Sequence, residues 1–137
     1  MRIAAQAKMG YYPTPDMVVP LIAGILTSDE KDMIRILDPC AGKGEALKFI
    51  GETLGAETFG IELDKERGEI ANDNLDRCLV TDFMATRISN KAFSLVYLNP
   101  PYDWEVREGE LETCERHELT FLRNTIRYLT KGGVLVY

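Results

Sequence analysis

The stretch MIRILDPCAGKGEALKFIGETLG, residues 33–55, decides the fold class. Met33 to Leu37 is short and partly β-branched, and it closes at Asp38-Pro39, so it reads as a strand followed by a glycine-bearing turn. From Glu45 to about Leu54 the apolar residues Leu47, Ile50 and Leu54 recur at helical spacing, and Gly55 stops the run. The alternation extends in both directions. Upstream, Tyr11-Tyr12-Pro13-Thr14-Pro15-Asp16 leads into a helical stretch reaching about Leu26, with Thr14 before Pro15 as its N-cap and Pro20 predicting a kink or a late start. Downstream come Thr58 to Ile61 as strand, Asp64 to Leu75 as helix, Cys78 to Val80 as strand and Phe93 to Leu98 as strand. A last helix carries Leu119, Leu122, Ile126 and Leu129 on one face, and Val134 to Tyr137 reads as a fifth strand. Five strands separated by helices predict an α/β fold with a doubly wound, mostly parallel sheet. In such sheets ligands collect at the carboxyl ends of the strands, near the point where strand order reverses.

Composition agrees with one domain over residues 1–137: the chain is 45% hydrophobic and 28% charged, which excludes disorder and leaves no room for two ordinary domains. Cys40, Cys78 and Cys114 form no CxxC pair, so a disulfide scaffold is excluded and a reducing cytoplasm is expected. The longest apolar stretch, Met17 to Leu26, is interrupted by Pro20 and falls short of the roughly 20 residues of a membrane span. The opening MRIAAQAKMGYY lacks the apolar centre of a secretory signal. Sixteen Lys plus Arg against 22 Asp plus Glu give a net charge of −6, which argues against nucleic-acid binding by the whole surface. Asp103 to Glu118 carries most of that charge, and Arg123, Arg127 and Lys131 read as a solvated helix face.

Two loops carry chemistry. In Asp38-Pro39-Cys40-Ala41-Gly42-Lys43-Gly44-Glu45, two glycines let backbone approach a ligand closely. A dinucleotide fingerprint wants a third small residue where Leu47 stands, and a Walker loop wants Ser or Thr where Gly44 follows Lys43, so neither pattern is met. What remains is an acid at a strand end, Gly-x-Gly, and a second acid, Glu62, closing the next strand. Glu62 can accept both hydroxyls of a ribose and Asp38 can face a cationic group, so a nucleoside without a pyrophosphate suits the pair. S-adenosylmethionine is a ligand of that kind. A third strand ends at Thr81-Asp82-Phe83, which offers a carboxylate to an adenine amine and an aromatic face to its ring.

The second loop is Asn99-Pro100-Pro101-Tyr102. Adjacent prolines hold the backbone extended and remove two amide donors, so carbonyls and the Asn side chain surround one spot with acceptors. Such a site accepts hydrogen bonds from an amine. An amine conjugated with a ring is a poor nucleophile, and two acceptors on its hydrogens draw it toward tetrahedral geometry and free its lone pair. Tyr102 can stack on a flat base and favour positive charge through its π face.

In this order the motifs resemble the class I S-adenosylmethionine-dependent methyltransferases, and within them the amino methyltransferases that modify N6 of adenine in DNA. Tyr11 to Pro15 resembles the family's N-terminal cofactor motif, Asp38 to Gly44 its glycine loop, and Asn99-Pro100-Pro101-Tyr102 its catalytic motif. The resemblance implies a Rossmann-like sheet and S-adenosylmethionine bound by Tyr12, Thr14, Pro15, Asp38, Cys40, Ala41, Gly42, Gly44, Glu62, Leu63, Asp82, Phe83 and Asn99. Within that set Thr14 is implied at the methionine carboxylate, Glu62 at the ribose, and Asp82 with Phe83 at the adenine. Catalysis is implied for Asn99, Pro100, Pro101 and Tyr102, with the Asn99 side chain and the Pro100 carbonyl on the target amine. DNA is the implied macromolecular partner.

The family's core has seven strands, so the chain is expected to stop after about strand five, without a target-recognition domain. An uncovered fifth strand then invites self-association. The same motif suits an RNA base amine or a protein glutamine amide, and a scaffold that keeps the cofactor pocket without turnover is the reading from another class. No metal is expected: Cys114 and His117 make half a zinc site, and four ligands are needed.

Overall fold

The structure, a computed structural model, describes residues 11–29, 33–101 and 116–137. Its elements in chain order are α1 (Val19–Ile25), β1 (Arg35–Asp38), α2 (Glu45–Leu54), β2 (Glu57–Glu62), α3 (Lys65–Asn74), β3 (Arg77–Val80), β4 (Phe93–Tyr97), α4 (His117–Thr125) and β5 (Leu129–Val136). The five strands form one sheet in the order β3-β2-β1-β4-β5, and every pairing is parallel. Strand order therefore reverses between β1 and β4, and the carboxyl ends of both strands open on the same edge.

Successive side chains of a strand point to opposite faces, and here that alternation builds two cores. Ile36 and Leu95 pack with Leu47, Ile50, Ala71 and Leu75 from α2, α3 and the residue after it. Their neighbours Leu37 and Val96 pack on the other face with Phe83, Phe93 and Tyr128. The apolar spacing read in α2 explains its seat: Leu47 and Ile50 have no exposed surface, so truncating either costs a few kcal/mol, in line with other buried Leu and Ile residues.

Two expectations are corrected. Thr14 is not a helix N-cap, because α1 begins late, at Val19, with Pro20 in its first turn where the missing amide costs nothing. Leu129 does not continue the last helix. After Thr125 the chain tightens into a 3₁₀ turn, Ile126–Tyr128, and Leu129 opens β5, paired with Phe93. Between that pair and Leu95↔Val134 the register shifts, two steps on β4 matching five on β5 around Lys131-Gly132-Gly133. Tyr102 and nearly all of the acidic stretch, including Cys114, lie outside the described residues. Among the described residues no helix is long and apolar enough to cross a membrane.

Candidate active site

The loop after β1 is fixed by its own hydrogen bonds. Asp38 Oδ1 accepts from the Cys40 amide at 2.8 Å, and the Ala41 amide donates to the Ile61 carbonyl at 2.9 Å, which ties the loop to β2. Gly42 and Gly44 have φ of +58° and +78°, a region that side chains other than glycine rarely adopt. At Gly42 a Cβ would also sit 2.4 Å from the ring of Tyr11. Gly44 is the residue preceding α2, and no described side chain caps that helix, so its first-turn amides face the loop.

Asp38 is buried, and desolvation pushes its carboxyl up to about 8, with the nearby Glu62 charge adding to the rise. Burial likewise raises the Cys40 thiol, further helped by Asp38 and Glu62, so Cys40 is no thiolate nucleophile. The native state thus keeps a proton on Asp38 that the unfolded chain, at 3.8, gives up. That contribution to stability is complete below about pH 4 and is lost as pH rises toward 8, at up to about 1.4 kcal/mol per pH unit. Thermal melts of the ligand-free chain at pH 5 and pH 8 are expected to show a fall in Tm that Asp38→Asn abolishes. An equal fall in the variant would assign it to other groups.

Glu62 ends β2 and is 4% exposed. Its Oε2 accepts from the Gly42 amide at 2.8 Å, and its Oε1 accepts from the Asp64 amide at 2.9 Å and from Arg67 Nε and Nη2 at 3.1 and 2.8 Å. Across the reversal point Asn99 Nδ2 donates to the Tyr12 carbonyl at 2.8 Å and to Thr14 Oγ1 at 3.3 Å. The Thr14 hydroxyl also meets the hydroxyl of Tyr97, a buried residue at the end of β4. The N-terminal segment is thereby fastened across the ends of β1 and β4.

Two cavities flank that segment. The larger, about 530 Å³, is lined by Tyr12, Thr14, Pro15, Asp38, Cys40, Ala41, Gly44 and Asn99, with Lys43, Phe49 and Tyr97. The smaller, about 90 Å³, is lined by Tyr12, Cys40, Glu62, Leu63, Asp82, Phe83, Asn99 and Pro101, with Tyr11, Arg67 and Phe121. Of the residues singled out from sequence, Gly42 lines neither cavity because Tyr11 covers it, and Pro100, in the loop after β4, is fully buried. Two carry a structural duty as well. Asp82 Oδ1 accepts from the Met84 amide at 2.9 Å and caps a 3₁₀ turn, and Phe83 is 4% exposed, stacked on Phe121 with ring centroids 5.3 Å apart.

Sequence reasoning passed over Arg67, Tyr97 and Phe121. Arg67 sits in the first turn of α3, five residues after Glu62, where a helix folding back on the strand end brings a basic side chain to the acid; that spacing was the available signal.

The whole chain, residues 1–137, matches the family described as "Uncharacterised methyltransferase family (DUF6094)". The chain belongs to that methyltransferase family. Solved structures agree on its fold. A Listeria monocytogenes protein assigned to the class I S-adenosylmethionine-dependent methyltransferases superposes on 93% of this chain with a TM-score of 0.77 and 18% identity, over 46% of its own length. The methyltransferase subunit of a type I restriction-modification system from Streptococcus thermophilus matches 90% of it at TM-score 0.69 and 20% identity, over 33% of its own length. An RNA methyltransferase from Salinibacter ruber, solved with S-adenosyl-L-homocysteine, matches 64% of it at TM-score 0.52 and 25% identity, over 60% of its own length. The chain therefore has the class I, Rossmann-like fold and spans less than half of the first two chains.

Proposed function

We propose that this methyltransferase uses S-adenosylmethionine to methylate an exocyclic amine, the N6 amine of adenine in DNA, on a base flipped out of the duplex. The observation that carries the reading is the position of Asn99, which follows β4, borders both cavities and is held through Nδ2 by Tyr12 and Thr14.

The donor set around the two cavities suits the cofactor. Asp38, buried beside the larger cavity, is an acid that an ammonium group would bring to its charged form, and the first-turn amides of α2 suit a carboxylate. Glu62 and Asp82, on the smaller cavity, suit a ribose diol and an adenine amine. When bound, S-adenosylmethionine supplies an electrophilic methyl group on a sulfonium centre. Nδ2 of Asn99 donates to Tyr12 and Thr14, and Oδ1, the acceptor of the side chain, is assigned to the substrate amine. The Pro100 carbonyl is the second acceptor, and the two together draw the nitrogen toward tetrahedral geometry. Tyr102 is assigned the stack on the base. Positioning and electrostatics carry the catalysis, with no strong general base ahead of transfer.

Transfer of label from S-adenosylmethionine to duplex DNA, to RNA of the same sequence and to a glutamine-containing peptide tests this reading. Label is expected in DNA, as N6-methyladenine. Label confined to RNA or peptide would overturn the substrate assignment.

A further inference from the structure

An ionised carboxylate offers about four acceptor positions, and Glu62 accepts four hydrogen bonds, three on Oε1 and one on Oε2. Backbone amides of Gly42 and Asp64 supply two donors, and Arg67 supplies the other two through Nε and Nη2. The amides are fixed, because Gly42 lies in the loop tied to β2 and Asp64 is the N-cap of α3. Only Arg67 can leave. The two donors it brings equal in number the two hydroxyls of a ribose.

The surroundings of Arg67 fit the same account. Its guanidinium carbon lies 4.6 Å from the centroid of the Tyr11 ring, a distance at which cation and ring attract. That ring covers Gly42, and Tyr11 borders both cavities. The cavity beside Glu62 measures about 90 Å³, against several hundred for a pocket that holds a small ligand. Arg67 and Tyr11 thus fill the space next to the acid.

Resting on the cofactor reading above, we propose that Arg67 and Tyr11 form a latch that closes the nucleoside half of the site, and that both hydroxyls of the cofactor's ribose bind Glu62 only when Arg67 is displaced from Oε1. The methionine half, bordered by Asp38 and Gly44, is open beforehand. Binding therefore has two stages, with latch opening between them, and the closed latch keeps Glu62 neutralised when no cofactor is present.

Stopped-flow mixing of the chain with S-adenosyl-L-homocysteine, followed by intrinsic fluorescence, tests the latch without any methyl transfer. In the wild type the observed rate is expected to reach a plateau as ligand concentration rises, the plateau being the opening rate. Arg67→Met is expected to raise that plateau at least about tenfold or to make the rate linear in concentration. Tyr11→Ala, which leaves every Glu62 partner in place, is expected to act in the same direction and stands in for Arg67→Met if that variant fails to fold. A linear dependence in the wild type, or plateaus unchanged in folded variants, would overturn the latch and leave the cofactor assignment standing. Absence of binding by a folded wild-type chain would overturn both.

Discussion

Asn99→Ala is expected to cut methyl transfer about 100- to 1,000-fold in kcat while changing cofactor affinity only a few-fold. The magnitude is that of deleting one preorganised polar group from a reaction centre. The split between the two readouts follows from what Asn99 touches. Its Oδ1 is assigned to the substrate amine, and Nδ2 holds the Tyr12 carbonyl and Thr14, which border the cofactor cavities. Losing the first removes an interaction made on the reacting nitrogen, and losing the second only loosens the N-terminal segment, which Thr14 still fastens to Tyr97. Single-turnover transfer and calorimetric titration on the same preparation separate the two. A variant with full turnover would remove the loop after β4 from the chemistry.

The second large effect is expected at Glu62. Glu62→Ala removes the acceptor of two backbone amides and leaves Arg67, whose side chain is 14% exposed, without its partner. Breaking a buried ion pair on one side costs about 3–5 kcal/mol. Partial exposure of the guanidinium places this pair at the lower end, a fall in Tm of roughly 10 °C for a domain of this size. Cofactor affinity is expected to drop at least about 100-fold, since the charged acceptor of the ribose is gone. Glu62→Gln keeps an acceptor oxygen and the side-chain volume, so both losses should be smaller. Differential scanning calorimetry and binding measured well below Tm check the two effects separately. Unchanged affinity in Glu62→Ala would move the ribose elsewhere.

Much of this was legible before the fold was seen. The apolar spacing of Leu47, Ile50 and Leu54 marks α2 because an amphipathic helix on a sheet leaves that period whatever surrounds it. Asp38, Glu62 and Asn99 were legible because each closes or follows an apolar strand, and parallel strands carry such residues to one edge. Leu129 misled because it prolongs the stripe of Leu119, Leu122 and Ile126. Its true partner, Phe93, lies 36 residues away, and no local period reports a long-range strand pair. Thr14 misled in another way: its hydroxyl is claimed by Tyr97 and Asn99, partners 83 and 85 residues distant, and not by a helix amide. The occupancy of Glu62 was illegible for the same reason, since Gly42 and Arg67 reach it from two different elements.

Calorimetric titration of this chain with S-adenosylmethionine, with NAD and Asp38→Ala as controls, bears most directly on the function. Binding of S-adenosylmethionine alone is expected, with no heat from NAD and binding lost or strongly weakened in Asp38→Ala. No binding by a chain shown to be folded, or equal binding of NAD, would contradict the cofactor assignment on which the site depends.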